Sequence, residues 1–569
     1  MYYTKPKRKP KTQTQTGKLR IIPLGGLEEV GRNMTVIEYG QHILIIDMGL
    51  QFPEEDMPGI DYIIPNIAYL KGREKNIRGV IITHGHYDHI GGIPHLIPML
   101  GNPPIFSSDI SLAIINKRQE DYKNGTQLKL KTVNNKTILR LGVFRVEFFK
   151  VSHNIPASMG VIIYTPVGII LHTGDFKLDL HTQDRAIRPD IEKLRNLGRQ
   201  GVLAMLADST NASQPGHQLT ETQIKRDLET IVANSPGRMI IATFSSLLER
   251  LQQIIELAEK YHKKVVIEGY SMKTNVEIAK RLGYMKFEKT TMISAKQMRG
   301  YPSNRIVILC TGAQGEENAV LMRIANCEHR TLKVEEGDTV VFSSSVVPGN
   351  ERAVQRLTDS LYREGADVIN YTMVDIHAGG HAKQEDLKFA IKLVRPKYLI
   401  PIEGHHSFLR IHAKIAESIG FPKKNIFVAD NGQIIEFTKN QATLTNKKVP
   451  SSYVMVDGLG VGDVGNVVLR DRQMLAADGM FVIIATIEAK TGNLVGNPDI
   501  ISRGFIYMKD NRELLDKVRE KVKRILKDRE PKASANDAYI KNKVRDVIGQ
   551  FLFSKTKRRP MVLPVVIEV

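Results

Sequence analysis

The chain of 569 residues has no tryptophan and only two cysteines, Cys310 and Cys327. Two thiols cannot build a disulfide scaffold or a four-cysteine zinc site, so we expect buried or idle thiols in a reducing cytoplasm. No stretch approaches the run of about 18 apolar residues that a membrane helix needs, because the longest candidates, such as residues 160–171, contain Thr, Pro and Gly. The sequence also lacks the GxxxxGK(S/T) phosphate loop and the GxSxG nucleophile motif.

The charge of the chain is one-sided, with a formal net charge of +20 and a pI near 9.6. Such an excess favours a polyanionic partner, because each neutralised phosphate releases condensed counterions, although basic bacterial proteins without that role exist. The contents of 42% hydrophobic and 25% charged residues are those of a globular protein, and the length predicts roughly three to four domains. Residues 1–18 lack an apolar segment, so we expect a disordered basic tail and not a secretory signal.

Short β-branched runs alternate with glycine turns from Leu19 onward, which predicts sheet with inserted helices. The predicted strands cover residues 19–22, 34–38, 42–47, 79–83, 161–165 and 169–172. Helix and strand patterns then alternate over residues 208–365, with a helix over 246–260 and strands over 264–268 and 304–310, as in an α/β unit. Strand texture returns at 370–445, and a smaller α/β unit with a basic amphipathic helix at 513–527 follows Pro450.

Three glycines at positions 460, 462 and 465 have the spacing of a dinucleotide-binding fingerprint. That motif requires a helix to follow, so that the helix N-terminus meets the pyrophosphate. The next residues, NVVLRDR at 466–472, are strand-like. We therefore predict a turn between strands at this position.

Four metal-competent side chains lie within six residues of GVIITHGHYDHIGG, residues 79–92. A β-branched strand leads into a loop that carries His84, His86, Asp88 and His89. A tight turn can direct two of the histidines at one ion, and Asp88 with His89 at a second ion. This cluster predicts a dinuclear metal site.

The remaining ligands are expected at other strand ends, where His153 in KVSHNIP and Asp175 in HTGDFK each follow an apolar run. An aspartate can bridge two ions, and imidazole with carboxylate suits zinc or manganese. Asp47 ends the strand HILIID, and it is the expected acceptor for the N–H of a ligand imidazole. A plain strand-end cap is the alternative role for Asp47.

These residues resemble the metallo-β-lactamase fold, and LADSTN (206–211), VDIHAGGH (374–381) and PIEGH (401–405) resemble the motifs of its β-CASP nucleic-acid-processing branch. CTGAQGE (310–316), VFSSSVVPGN (341–350), PDIISRGFIYM (498–508) and RRPMVLPVV (558–566) are similar to bacterial ribonuclease J. The resemblance covers nearly all the chain from Leu19. It implies an α/β fold: a metallo-β-lactamase αββα sandwich in two segments (19–207 and 369–448), an inserted β-CASP α/β domain (208–368) and a small C-terminal α/β oligomerisation domain (449–569).

The resemblance also implies an activity, namely 5′-to-3′ exonuclease action on 5′-monophosphorylated single-stranded RNA with endonuclease action in the same site, in RNA maturation, rRNA processing and mRNA decay. It implies two divalent ions per subunit, zinc or manganese, and cytoplasmic homodimers or homotetramers, with RNA-degradation or ribosome-associated complexes as further partners. By position, the first metal site is His84, His86, His153 and Asp175, and the second is Asp88, His89, Asp175 and Glu403. Asp208 is the β-CASP acidic residue, His381 the proton donor, and the substrate-binding residues are Ser246, His377, Ala378, Gly379, Gly380 and His381.

The sequence departs from the family pattern at two positions. Histidine is usual where Glu403 stands, so we expect a harder, more manganese-tolerant second site, unless His405 or His406 replaces Glu403 as the ligand. Serine is frequent where Gly379 stands, and its loss removes one hydroxyl donor to phosphate. Family likeness also suggests a structural cation, calcium, near Asp61 and Asp457, for which turn caps are the alternative.

Three other functions are weighed against the ribonuclease. A small-molecule metallohydrolase of the same superfamily is disfavoured by the net charge, the long insertion and the HAGGH element. A DNA-directed β-CASP nuclease shares the same motifs. A non-catalytic RNA-binding partner of an active paralogue would be indicated by the loss of direct metal ligands, and of these only position 403 is altered.

Overall fold

The computed structural model describes residues 17–54, 56–122, 125–178, 190–316, 318–344, 346, 350–370, 373, 379–489, 491, 493–527 and 537–569. The chain divides into two compact units, residues 1–51 with 64–453 and residues 52–63 with 454–569. Apart from Gly17 and Lys18, the predicted basic tail lies outside the described residues.

Two sheets form the sandwich of the first unit. In spatial order, the eight-stranded sheet contains Ala442–Lys448, Gln433–Phe437, Leu19–Gly25, Met34–Tyr39, His42–Ile46, Ile77–Ile81, Ile105–Ser107 and Leu130–Thr132. The six-stranded sheet contains Tyr398–Ile402, Ala204–Asp208, Ile169–His172, Met159–Tyr164, Phe144–Lys150 and Ile138–Leu141. Side chains of both sheets, such as Ile37, Leu44, Val161 and Leu206, form one buried core, which is the αββα arrangement expected from the sequence.

Helices cover the outer faces of this sandwich, so its inner strands are buried on both sides; every residue of Met34–Tyr39 is buried. The helices of this part are Tyr87–Ile90, Ile93–Met99, Asp109–Gln119, Ile191–Gln200, Gln384–Val394 and His406–Ser418. The last three contribute to a second core under the six-stranded sheet, where Leu194, Leu387 and Ile415 are buried.

A five-stranded sheet stands between the two segments of the sandwich in sequence. Its strands, in spatial order Lys264–Glu268, Ile306–Cys310, Met239–Ala242, Thr339–Phe342 and Asp367–Ile369, are all parallel. Its helices are Glu221–Asn234, Leu248–Lys260, Tyr270–Arg281, Val320–Ala325 and Glu351–Arg363. This is the α/β unit that alternating helix and strand patterns predict.

The second unit contains two three-stranded sheets. One has the order Gly460–Val461, Val454–Asp457 and Tyr62–Ile64, and the other Asp499–Arg503, Met480–Ile487 and Met561–Glu568. Helices Arg512–Lys527 and Asp537–Thr556 pack on one face of the second sheet through Val518, Val522 and Ile548, so the apolar stripe of the basic helix is core.

The strand-like interpretation of residues 466–472 is wrong, because Asn466–Asp478 is a helix. Two adjacent valines suggested a strand, but the strong helix formers Arg, Gln, Met, Leu and Ala follow them and extend the helix. The glycines still do not form a dinucleotide site of the βαβ type, since Val454–Asp457 and Gly460–Val461 are antiparallel strands.

The two thiols have different surroundings. Cys310 is buried, and burial raises the pKa of its thiol to about 12, whereas Cys327 is exposed. Both are free. Among the described helices, none combines the length and apolar character of a membrane span.

Candidate metal centre

Parallel strand ends bring the candidate ligands together. In the eight-stranded sheet, His42–Ile46 and Ile77–Ile81 are parallel, so Asp47 and the loop that begins at Ile82 lie at the same edge. In the six-stranded sheet, Ile169–His172, Ala204–Asp208 and Tyr398–Ile402 are parallel neighbours. Polar side chains that follow these strands therefore meet at one edge, as expected for sites at carboxyl ends of parallel strands.

The first ligand group contains three imidazoles and one carboxylate: His84, His86, His153 and Asp175. His86 Nδ1 lies 3.0 Å from both His84 Nε2 and His153 Nε2, and Asp175 Oδ2 lies 3.5 and 3.6 Å from those same two Nε2 atoms. A tetrahedral zinc site with bonds of about 2.0–2.1 Å has ligand atoms about 3.3–3.4 Å apart. The separations therefore fit one tetrahedral ion.

The histidines of this group are held in the form that binds metal. Burial lowers the pKa of His84 and His153 well below the usual range, so both rings are neutral at pH 7. His153 Nδ1–H donates a hydrogen bond to the Gly380 carbonyl oxygen at 2.8 Å, which leaves the Nε2 lone pair free for a metal. A methyl group on Gly380 would lie 2.3 Å from His153 Cε1.

The second group shares Asp175 with the first. His89 Nε2 lies 3.2 Å from Asp175 Oδ1 and 3.4 Å from Asp88 Oδ2. The two oxygens of Asp175 therefore face different groups, which is the arrangement of a bridging carboxylate. Burial alone would lower the pKa of His89, but the carboxylates of Asp175, Asp88 and Asp47 outweigh burial and raise it well above the usual value.

Asp47 supports the second group from behind. Its Oδ2 lies 2.8 Å from His89 Nδ1, and its two oxygens accept hydrogen bonds from the Thr83 amide (2.8 Å) and hydroxyl (2.9 Å). Asp47 adopts a φ of +61°. The carboxylate thus orients the ring so that Nε2 points at Asp88 and Asp175.

Glu403 directly follows the strand Tyr398–Ile402 and lies close to the second group. Its ligand oxygen, one from Asp47 and a ring nitrogen of His89 all lie within 4.8 Å of one another, and its carboxyl group lies close enough to that of Asp175 to interact with its charge. Burial and the charge of Asp175 raise the pKa of Glu403 well above its usual value. The structure therefore brings Glu403 to the second group.

The alternative ligands His405 and His406 lie elsewhere. His405 is exposed at the start of the helix His406–Ser418, with its ring against Phe408. His406 is 45% exposed and lies 3.7 Å from Glu28. Neither ring belongs to a ligand group that includes His89 or Asp175 in the described part of the chain.

His381 lies beside the metal groups with Asp208 as its partner. His381 Nδ1 is 2.8 Å from Asp208 Oδ2 and 3.9 Å from Asp175 Oδ2. Burial disfavours the charged ring, but the Asp208 and Asp175 carboxylates outweigh it and raise the pKa of His381 to about 9. The Asp208 carboxylate therefore orients His381 through Nδ1, and the ring lies next to the metal ligands.

The structure describes only some of the expected substrate-binding residues. His377 and Ala378 lie outside the described residues. Ser246 is half-buried two residues before the helix Leu248–Lys260. At Gly379 an added methyl would lie 2.6 Å from Gln218 Nε2, so the space of a serine side chain is taken by Gln218.

At the suggested structural cation site, both carboxylates contact other groups of the protein. Asp61 accepts a hydrogen bond from the Gly458 amide at 2.7 Å, and Asp457 pairs with Arg472. Among the described residues, no ligand group of three includes either carboxylate.

A buried ionic cluster behind the metal centre was not foreseen from the sequence. Lys177, two residues after Asp175, lies 2.6 Å from Glu221 Oε1, and Arg250 Nη2 lies 3.1 Å from Glu221 Oε2. All three side chains are less than 10% exposed. The cluster ties the Asp175 loop to two helices of the parallel α/β domain.

The sandwich, its inserted parallel α/β domain and the ligand groups at the strand ends define the class of metallo-β-lactamase-fold proteins. Residues 27–200 match the metallo-beta-lactamase superfamily, residues 236–361 the ribonuclease J beta-CASP domain, and residues 467–569 the ribonuclease J C-terminal domain. The chain is 38% identical to ribonuclease J2 of Bacillus subtilis, covering 97% of this chain and 99% of that protein. It is also 38% identical to ribonuclease J 1 of Streptococcus pyogenes, covering 96% and 97%. The chain belongs to the ribonuclease J family.

A solved structure supports the fold alone. A protein of unknown function from Enterococcus faecalis V583 aligns with a TM-score of 0.54 and 17% identity, over 74% of this chain and 100% of its own.

Proposed function

We propose that this protein is a metal-dependent ribonuclease that hydrolyses phosphodiester bonds in RNA. The observation that carries the proposal is the convergence of two ligand groups on Asp175, beside the His381–Asp208 pair, in a member of the ribonuclease J family. Two divalent ions, zinc or manganese, fit the imidazole and carboxylate donors. The net charge of +20 suits a polyanionic substrate.

The reaction is 5′-to-3′ exonucleolytic on 5′-monophosphorylated single-stranded RNA, with internal cleavage in the same site, and it serves RNA maturation and mRNA decay. When bound, the two ions supply an activated water and stabilise charge on the phosphoryl oxygens. His381 donates a proton to the leaving 3′-oxygen as general acid. Asp208 keeps His381 protonated and fixes its orientation through the 2.8 Å contact.

The remaining chain residues position metal and substrate. Asp47 and the Gly380 carbonyl orient His89 and His153. Ser246, His377, Ala378, Gly379 and Gly380 hold the 5′-phosphate. The proposed domain extents are 19–207 and 369–448 for the metallo-β-lactamase domain, 208–368 for the β-CASP domain and 449–569 for oligomerisation.

The sheet formed by Asp499–Arg503, Met480–Ile487 and Met561–Glu568 supports the proposal that the chain assembles into homodimers or homotetramers. One face of this sheet packs on helices, whereas the opposite face carries exposed apolar side chains: Ile501, Leu563, Val565 and Ile567. Exposed apolar patches of this kind are typical of protein interfaces. A second copy of the chain is the proposed occupant, in the cytoplasm, and complexes of RNA degradation or ribosomes are further partners.

Replacement of both His84 and His86 by alanine tests this function. Because these side chains supply two of the four first-site ligands, we expect RNA hydrolysis to be abolished while RNA binding, measured by filter retention, is retained. Hydrolysis that survives the double substitution would show that the metal centre has been assigned to the wrong residues.

A further inference from the structure

The two ligand groups differ in chemistry. The first offers three imidazoles and one carboxylate oxygen, whereas the second offers the single imidazole of His89 with the carboxylates of Asp88 and Asp175. Glu403 forms a neighbouring group with the same His89 and with Asp47, and its carboxyl group faces the charge of Asp175. Imidazole-rich groups suit zinc, and carboxylate-rich groups suit harder cations such as manganese. The difference between the groups depends on Glu403, because it adds a third carboxylate to the second group.

The backbone holds Glu403 firmly at this position. Its carbonyl oxygen accepts hydrogen bonds from the Ser209 amide at 3.3 Å and the Thr210 hydroxyl at 3.1 Å. The next amide, of Gly404, donates to the Gly26 carbonyl at 3.2 Å. Glu403 has a φ of +58°, a conformation that non-glycine residues keep only where the surroundings enforce it, often at functional sites.

The side chain of Glu403 also has an unused ligand atom. The residue is only 5% exposed, and its Oε2 has no hydrogen-bond partner among the described residues. A buried carboxylate oxygen without a donor is costly unless a cation approaches it. The oxygen is therefore suited to a metal ion shared with His89 and Asp175.

We infer that the centre is a mixed-metal pair, with zinc in the His84, His86, His153 and Asp175 group and manganese in the group that contains Glu403. Glu403 sets the selectivity of the second position. The inference rests on the proposed function only in that both groups bind divalent ions. Relative to a neutral histidine, Glu403 removes one positive charge from the loaded centre and favours a cation that prefers oxygen ligands.

Metal exchange at the second position tests the inference without reference to activity. Metal-free protein receives one equivalent of zinc and an excess of manganese, and the metals that remain after desalting are counted by mass spectrometry. We expect one zinc and one manganese per chain, with the electron paramagnetic resonance signal of an isolated Mn²⁺ ion. Zinc is then titrated, because zinc generally binds such sites more tightly than manganese and the exchange point measures selectivity.

The Glu403→His variant should release manganese at a lower zinc concentration. Even residues that only support a ligand change metal affinity by about 10–100-fold, so we expect a shift of at least about tenfold. Glu417→His is the control, because Glu417 is exposed on the helix His406–Ser418 and belongs to no ligand group among the described residues. Its exchange point should equal that of the wild type.

Each outcome decides the inference. Wild-type protein that retains zinc but no manganese after desalting, a coupled Mn²⁺–Mn²⁺ signal, or an exchange point unchanged by Glu403→His would overturn it. The wild-type result decides even if the variant does not fold. RNA cleavage is measured separately with saturating zinc, manganese or both: cleavage without mixed loading refutes only this inference, whereas no cleavage under any condition refutes the proposed function.

Discussion

Glu221 is a buried anion between two buried cations, and its neutralisation should destabilise the protein. In Glu221→Gln, Lys177 and Arg250 keep their burial but lose the charge that lies 2.6 and 3.1 Å from them. Breaking a buried ion pair from one side costs roughly 3–5 kcal/mol. For a domain of about 150–250 residues this lowers the Tm by at least roughly 6 °C.

A second carboxylate provides the control. Glu256 pairs with Lys225 at 2.6 Å between the same two helices, but both side chains are more than 40% exposed. Exposed pairs contribute only about 0–1 kcal/mol. When the Tm of both variants is measured by differential scanning calorimetry, Glu256→Gln should therefore differ little from the wild type. Equal shifts for the two variants would refute the assignment of the buried cluster as a stabilising element.

The same cluster predicts a pH dependence. Burial alone would raise the pKa of Glu221, but Lys177 and Arg250 outweigh it and hold the pKa well below the usual 4.5. A depressed carboxylate pKa contributes stability above 4.5, and that contribution is lost as pH falls through the lower, folded-state pKa. The Tm difference between wild type and Glu221→Gln should therefore be full at neutral pH and narrow in acid. A difference that stays constant down to the acid limit of folding would contradict this cause.

Three further substitutions test the site and the assembly. Gly380→Ala places a methyl against a rigid ligand ring, so metal affinity measured by titration calorimetry should fall by about 10–100-fold. The control Gly379→Ala meets the side-chain amides of Gln218 and Asn211, which are not metal ligands, and should change metal affinity little. Asp47→Asn keeps the φ of +61°, which asparagine tolerates, but weakens the contact to His89. Metal should therefore be lost from the second site alone. Loss of metal from both sites would contradict the geometry. Val565→Lys, on the exposed face of the sheet that contains Met561–Glu568, should lower the mass measured by light scattering to that of a monomer. Val467→Lys, on the exposed side of a helix, is the control and should leave the mass unchanged. An unchanged mass in Val565→Lys would exclude this face of the sheet as the interface.

Local sequence patterns predicted the features of the fold that depend on residues close together in the chain. The β-branched runs correspond to strands, and the HGHYDH loop follows one of them, because alternation and loop spacing act over a few residues. The helix Asn466–Asp478 was missed since two valines dominate its first turn.

Long-range contacts could not be obtained in the same way. His381 and Asp208 are 173 residues apart in sequence, and family resemblance alone placed them in one site. The Lys177–Glu221–Arg250 cluster had no sequence signal, because three ordinary charged residues become a cluster only when helices and the Asp175 loop pack together. The backbone conformation of Glu403 likewise depends on hydrogen bonds from Ser209 and Thr210, which follow the strand Ala204–Asp208.

The central claim is tested most directly by the degradation of one 3′-end-labelled single-stranded RNA that carries either a 5′-monophosphate or a 5′-triphosphate. The protein is supplied with zinc and manganese, or with a chelator, and a parallel 5′-labelled sample identifies the released products. The account predicts mononucleotides from the 5′ end of the monophosphorylated RNA, resistance of the triphosphorylated RNA to this exonucleolytic attack, and no product with chelator. RNA that binds but remains intact with every metal would contradict it.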